Sequence, residues 1–207
     1  MELTLYVDSL FTSPWAMSVF VALKEKQLLF SLQTVDLGTG QNQLPAYRAV
    51  SLTARVPALV HGDFLLTESS AITEYLEEVF PAGQFAALYP QDVHERARAR
   101  QLQGWIRSDL LPLRQQRDTE TVFFGKACAP LDAAAQQAAQ RLISVAEQLV
   151  RGPYLFEHWC VADLDLAIML QRLILNGDPV PAALRDYAAA QWQRPSVQQW
   201  LAHHQPD

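Results

Sequence analysis

Two short signatures between residues 55 and 72 could grip a small ligand through backbone and charge. The first is Arg55-Val56-Pro57. An X-Pro bond is the one peptide link that turns cis at modest cost, about 0.5–1 kcal/mol, and a cis bond turns the preceding residue's N–H and C=O away from a sheet ladder. Val56 could then pair with an extended ligand through its main chain. The second, Glu68-Ser69-Ser70-Ala71-Ile72, sets a carboxylate and two hydroxyls where Ile72, Leu76 and Val79 begin a helical apolar spacing. Open N–H groups and partial positive charge at that helix end suit a ligand carboxylate, and Glu68 can hold an ammonium. Together they describe a site for a short peptide. Taken singly, each is ordinary: Val-Pro opens strands and turns, and Glu-Ser-Ser before an apolar run caps helices.

Their order along the chain gives them weight. Alternation predicts strands at Leu3 to Val7, Leu29 to Val35, Ala58 to His61 and Phe64 to Leu66, with Gly62-Asp63 as the hairpin turn. The first helix should start at Pro14, after a serine cap, carrying Val19, Phe20, Leu23 and Lys24 toward Gln27. A turn-rich loop from Asp36 to Gly40 and a short irregular helix near Pro45 to Val50 follow. The prolines at 81 and 90 bracket an irregular stretch, after which the chain reads helical. Long helices are expected over Val93 to Leu111, with Ala97, Leu102, Trp105 and Ile106 on one side, over Leu131 to Val150, and over Ala162 to Leu175. Pro112 should bend or end the first of these, and two shorter helices precede a frayed His203-His204 tail. The pattern predicts an α/β domain over 1–80, a linker over 81–92 and an all-α domain over 93–207.

Composition bounds the chemistry. A chain of 207 residues, half apolar and 18% charged, can bury a real core. A net charge of -6 argues against a general nucleic-acid binder, which needs a basic field, and favours small-molecule partners. Cys128 and Cys160 are too far apart for a CxxC redox pair and too few for a disulfide framework, which suits reduced thiols in a cytoplasm. No leader segment and no run of about 18 apolar residues is visible, so neither export nor a membrane span is expected. The five histidines show no ligand spacing on a helix face, and no metal is expected. The arginines at 96, 98 and 100 read as a solvated helix face.

The series strand, Val-Pro, strand, strand, capped helix resembles the second half of a thioredoxin-like domain. With Glu68-Ser69-Ser70-Ala71-Ile72 it resembles the glutathione-binding half of the glutathione S-transferases. The likeness continues into the helical part. Trp159-Cys160-Val161-Ala162-Asp163 is similar to the capping box that opens that family's central helix, with Cys160 where a hydroxyl residue is usual and Asp163 in a structural role. The stretch Leu88-Tyr89-Pro90 through Pro112, with Asp163-Leu164-Asp165 and Gln191-Trp192-Gln193-Arg194, resembles a bacterial YfcF-like subgroup.

The resemblance implies that glutathione is the co-substrate, held by Val56, Pro57, Glu68 and Ser69. It also implies that Ser13 in Thr12-Ser13-Pro14-Trp15 hydrogen-bonds the glutathione sulfur as thiolate, acting as donor rather than nucleophile. Tyr6 and Thr12 are the competing donors, and neither cysteine stands at position 13. The implied partner is a small hydrophobic electrophile or hydroperoxide, in an acceptor pocket with Phe11, Trp15, Trp105 and Phe123. Conjugation, hydroperoxide or disulfide reduction, and a homodimer are also implied, and a non-catalytic binding module is the rival from another class. The contact to the glycyl carboxylate stays open among Gln41, Gln43, Arg48 and Arg55.

Overall fold

The computed structural model describes residues 2–204 and divides into two compact units, residues 1–88 with 199–207, and residues 89–198. In the first, strand β1 (Leu3–Asp8) leads through helix α1 (Pro14–Glu25) to β2 (Ser31–Val35). A short helix α2 (Pro45–Arg48) precedes β3 (Ala58–His61) and β4 (Phe64–Thr67), and α3 (Ser69–Val79) closes the series. The sheet order is β2-β1-β3-β4, with β1 parallel to β2 and the other two pairs antiparallel. The parallel pair requires a crossover, which α1 supplies, and the antiparallel β3–β4 pair needs only a tight turn. Gly62 at φ 60° provides that turn's left-handed residue.

Alternation along β1 assigns its two faces. Leu3, Leu5 and Val7 are buried, while Tyr6 turns the other way and meets Tyr47 of α2 edge-on at 5.8 Å. Helices α1 and α3 pack together, and every residue of α1 from Ala16 to Leu23 is buried. At the end of α1, Gln27 N–H bonds Lys24 O and Leu28 N–H bonds Leu23 O, with Gln27 at φ 55°. That is a left-handed helix stop. The buried Lys26 Nζ reaches Glu77 Oε2 at 2.7 Å, Phe80 O at 2.6 Å and Ala86 O at 2.9 Å, tying α1, α3 and the segment after α3 together.

The second unit is helical: α4 (Val93–Ser108), α5 (Leu111–Gln116), α6 (Thr119–Phe124), α7 (Ala133–Leu149), α8 (Val161–Ile174), α9 (Ala182–Trp192) and the start of α10 (Pro195–Leu201). Every residue of α8 from Val161 to Leu173 is buried, and α4, α6, α7 and α9 pack around it. Asp163 carries the satisfaction at its start: Oδ2 accepts Cys160 N–H at 2.9 Å, and Oδ1 accepts Leu155 N–H and Tyr187 O–H, both at 2.8 Å. Burial pushes the Cys160 thiol well up, which keeps it protonated and inert.

Several expectations need correction. Helix α4 stops at Ser108, and Pro112 lies inside the first turn of α5, where its missing N–H does no harm. Two short helices not singled out from the sequence, α5 and α6, lie between the first two long ones; Asp118 caps α6 through Glu120 and Thr121 N–H, and Gly125 at φ 65° ends it. On α4 the buried alanine is Ala99, and Ala97 is exposed. Strand β2 begins at Ser31 rather than Leu29, which is 94% exposed. The expected frayed tail is packed up to residue 204: the His203 ring stacks on Phe11 at 3.9 Å and 5°, beside the fully buried Trp200. No helix among the described residues is long and apolar enough to cross a membrane.

Candidate active site

Strand register brings the two ligand signatures and the β1–α1 turn to one edge of the sheet. Ala58, the first residue of β3, pairs with Tyr6 near the end of β1 on one side and with Thr67, the last residue of β4, on the other. Residues 9–13, Val56-Pro57 and Glu68-Ser69 therefore all leave the sheet at that edge. Adjacent strands lie about 4.8 Å apart, so the three segments fall within a span of about 10 Å. Backbone groups just beyond a ladder's end are available to a ligand.

The β1–α1 turn is built around Asp8. Its side chain, in a residue only 3% exposed, accepts Thr12 N–H at 2.7 Å and Thr12 O–H at 2.9 Å on Oδ2, and Ser13 N–H at 3.0 Å on Oδ1. Phe11 N–H bonds Asp8 O at 3.0 Å, with Phe11 held at φ 54°. Ser13 is the N-cap of α1, in extended conformation, and its Oγ accepts Ala16 N–H at 3.2 Å. That bond fixes the hydroxyl oxygen and leaves its proton to donate. Thr12, by contrast, donates its hydroxyl proton to Asp8, and Tyr6 packs its ring on Tyr47.

The Val56–Pro57 bond is cis, and β3 begins one residue beyond the proline. A network fixes the approach. Tyr47 O–H and Ser51 O–H donate to Arg55 O at 2.8 and 2.9 Å, Arg55 N–H returns to Ser51 Oγ at 3.2 Å, and Asn42 Nδ2 donates to Ala54 O at 2.8 Å. Burial raises the Tyr47 phenol to about 12, so it stays a donor at any physiological pH. Glu68 occupies the N-cap position of α3 at φ 70° and ψ 113°, yet its side chain makes no cap bond. Its exposed carboxylate is thus not committed to the helix. Ser69, 5% exposed, opens α3, and no acidic residue stands in that first turn to neutralise the helix end.

The remaining residues named from the sequence fall in both units. In the first, Phe11 stacks on His203 and meets Trp200 edge-on at 5.1 Å, and Trp15 is half-buried on α1. In the second, Trp105 Nε1 donates to Asp109 Oδ2 at 2.9 Å and Phe123 is half-buried on α6. Of the four residues left open for a terminal carboxylate, Gln41 accepts Asp36 N–H at 2.7 Å, while Gln43, Arg48 and Arg55 are exposed. Among the described residues no group of three or more His, Cys, Asp or Glu side chains could hold a metal. Asp8, Asn42, Tyr47 and Ser51 escaped the sequence reading. Only Asp8, an acid at a strand end before a hydroxyl pair, left any signal.

Residues 12–79 match the family model described as glutathione S-transferase, N-terminal domain, and residues 92–205 the one described as glutathione S-transferase, C-terminal domain. Human glutathione S-transferase theta-1 is 34% identical over 159 residues, 75% of this chain and 63% of that protein. Glutathione S-transferase 1 of Dianthus caryophyllus is 38% identical over 112 residues, 54% of this chain and 48% of that protein. The chain thus spans less than two thirds of the length of these curated relatives. A crystal structure of a glutathione transferase homologue from Burkholderia, with bound glutathione, is 46% identical with a TM-score of 0.82, covering 99% of this chain and 98% of that one. The theta class glutathione S-transferase of Xanthomonas axonopodis pv. citri, also with glutathione bound, is 25% identical with a TM-score of 0.77, covering 96% of each chain. One family's paired domains account for both halves of the sequence, and this chain belongs to the glutathione S-transferase family.

Proposed function

We propose that the protein binds glutathione at the sheet edge and ionises its thiol for attack on a small hydrophobic electrophile. The observation that carries this reading is the state of the three candidate hydroxyls at that edge. Ser13 alone has its oxygen anchored, by Ala16 N–H, and its proton uncommitted among the described residues. The glutathione bound by the Burkholderia relative supports the choice of ligand. In this reading Val56 pairs with the tripeptide's main chain beside Pro57, Glu68 takes its ammonium, and Ser69 with the start of α3 takes its γ-glutamyl carboxylate.

The energetics suffice. A free thiol has a pKa of about 8.5, and lowering it by about two units takes roughly 2.7 kcal/mol of preference for the anion. A hydrogen bond to a charged group contributes about 1.5–3 kcal/mol and a helix N-terminus about 0.3–1 kcal/mol. The thiol proton leaves to solvent, the thiolate forms the C–S bond, and the electrophile's leaving group departs with its electron pair. The acceptor pocket assigned to Phe11, Trp15, Trp105 and Phe123, the homodimer and the cytoplasmic location are proposals that stand on family resemblance. Hydroperoxide reduction would start from the same thiolate.

Steady-state conjugation of glutathione to an aromatic electrophile tests the reading. Ser13→Ala should cut turnover by about tenfold or more while glutathione still binds. Unchanged turnover removes Ser13 from the role and returns it to Tyr6, Thr12 or a backbone N–H.

A further inference from the structure

Asp8 takes no part in the chemistry proposed above, yet it is the most heavily bonded carboxylate at the sheet edge. It sits at the last position of β1, 3% exposed, and its three donors all come from the turn that delivers Ser13. Two successive N–H groups, of Thr12 and Ser13, are divided between its two oxygens at 2.7 and 3.0 Å. Its own carbonyl holds Phe11 N–H at 3.0 Å, which helps keep that residue in the left-handed region at φ 54°. A non-glycine residue in that region persists only where its surroundings over-determine it.

The geometry points to Asp8 as a positioning residue that acts on the thiol through Ser13. This rests on the thiolate reading of Ser13 given above. A carboxylate is required because each oxygen receives its own N–H; an amide presents one acceptor and, at the other position, a donor facing a donor. The charge itself works in the opposite direction. A negative group bonded to the turn that carries Ser13 would disfavour the thiolate of a bound sulfur by direct electrostatics, so positioning and charge predict opposite signs when Asp8 is neutralised.

Asp8→Asn, in the full chain, separates the two. The readouts are the ultraviolet absorbance of bound glutathione thiolate against pH, the pH profile of kcat/KM, and the glutathione Kd by calorimetry. Asp8→Asn should raise the pKa of the bound thiol by about one unit and lower kcat/KM below it about tenfold, with Kd, measured at a pH well below the bound thiol's pKa, within about twofold of wild type. Combined with Ser13→Ala it should add nothing to the single serine variant, as expected of two residues acting through one group. A thiol pKa unchanged or lowered in folded Asp8→Asn overturns the proposal, and so does an additive double variant. Should Asp8→Asn fail to fold, Thr12→Val, which removes one of the three donors, should raise the thiol pKa by a smaller amount; wild-type ionisation there also overturns it. Ser13→Ala alone distinguishes the two levels. If it leaves the thiol's ionisation untouched, the serine reading itself fails; if it shifts the thiol and Asp8→Asn does not, only the role of Asp8 falls.

Discussion

Replacing Lys26 by methionine should destabilise the protein by about 3–5 kcal/mol, because it breaks a buried ion pair from one side. The side chain is fully buried, and its ammonium serves Glu77 Oε2 at 2.7 Å and the carbonyls of Phe80 and Ala86 at 2.6 and 2.9 Å. Methionine nearly matches the lysine stem in volume, so the cavity contribution is small. What dominates is the set of groups left behind. Glu77, 5% exposed, keeps the Leu88 N–H at 2.9 Å but loses its cation, and two carbonyls lose a charged donor. The double substitution Lys26→Met/Glu77→Gln removes both charges, and the glutamine oxygen can still accept Leu88 N–H. It should recover at least about 2 kcal/mol of the loss, since a buried pair replaced as a whole costs little.

For a chain of this size 1 kcal/mol moves Tm by about 2–4 °C, so the single variant should melt about 6–20 °C below wild type and the double variant well above the single. Two compact units need not melt together. Native-state hydrogen exchange at the amides of α1 and α3 therefore accompanies the thermal scan, and the loss of protection should concentrate there. A single variant melting within about 2 °C of wild type refutes the reasoning. A double variant no better than the single shows that the damage is not an orphaned charge.

Three further outcomes are expected. If the proposed site is right, Glu68→Ala and Ser69→Ala should each raise the glutathione Kd about tenfold or more in calorimetry, since each removes a proposed partner of a charged ligand group; wild-type affinity in both discards the placement of the γ-glutamyl group. The hydrogen bonds from Arg117 hold the Asp178 carboxyl below its usual range. A depressed folded-state pKa stabilises the fold above the unfolded value of about 3.9, and that contribution is lost as pH falls through the folded value. Asp178→Asn should thus be less stable than wild type at neutral pH, with the gap closing in strong acid; urea titrations giving a gap independent of pH would contradict this. Trp200→Ala, at a fully buried position against Phe11 and Phe20, should cost about 3–5 kcal/mol and be read as early melting of the first unit.

The first unit was legible because its elements obey local rules. Alternation marks β1, Ser13-Pro14 marks the start of α1, Gly62-Asp63 marks the hairpin, and the observed bounds follow within a residue or two. Pro112 misled because proline has two meanings near a helix: it ends one and opens the next, and the sequence pattern alone favoured the former. The tail misled for a different reason. Trp200 and His203 are held by Phe11 and Phe20, some 180 residues earlier in the chain, and no local pattern reports such a contact.

The parts of the candidate site that escaped the sequence share one physical cause. Among the described residues four that are not glycine, Phe11, Gln27, Ala54 and Glu68, have positive φ. Gln27 merely ends α1, but each of the other three lies within two residues of Ser13, Val56 or Ser69. Such a conformation costs about 1–2 kcal/mol at a residue with a Cβ, and glycine would relieve it. Propensity predicts no turn there, because the side chains are the wrong ones. Side-chain bonding fixes the surroundings of the first two: the Asp8 carboxylate takes the N–H groups of Thr12 and Ser13 just after Phe11, while its carbonyl takes that of Phe11, and Asn42, Tyr47 and Ser51 bond the carbonyls of Ala54 and Arg55. Glu68 is held by the strand and helix it joins. Where local preference is overridden three times along one sheet edge, the fold is giving up stability to hold backbone in place, and the place it holds is the one that Ser13, Val56 and Ser69 share.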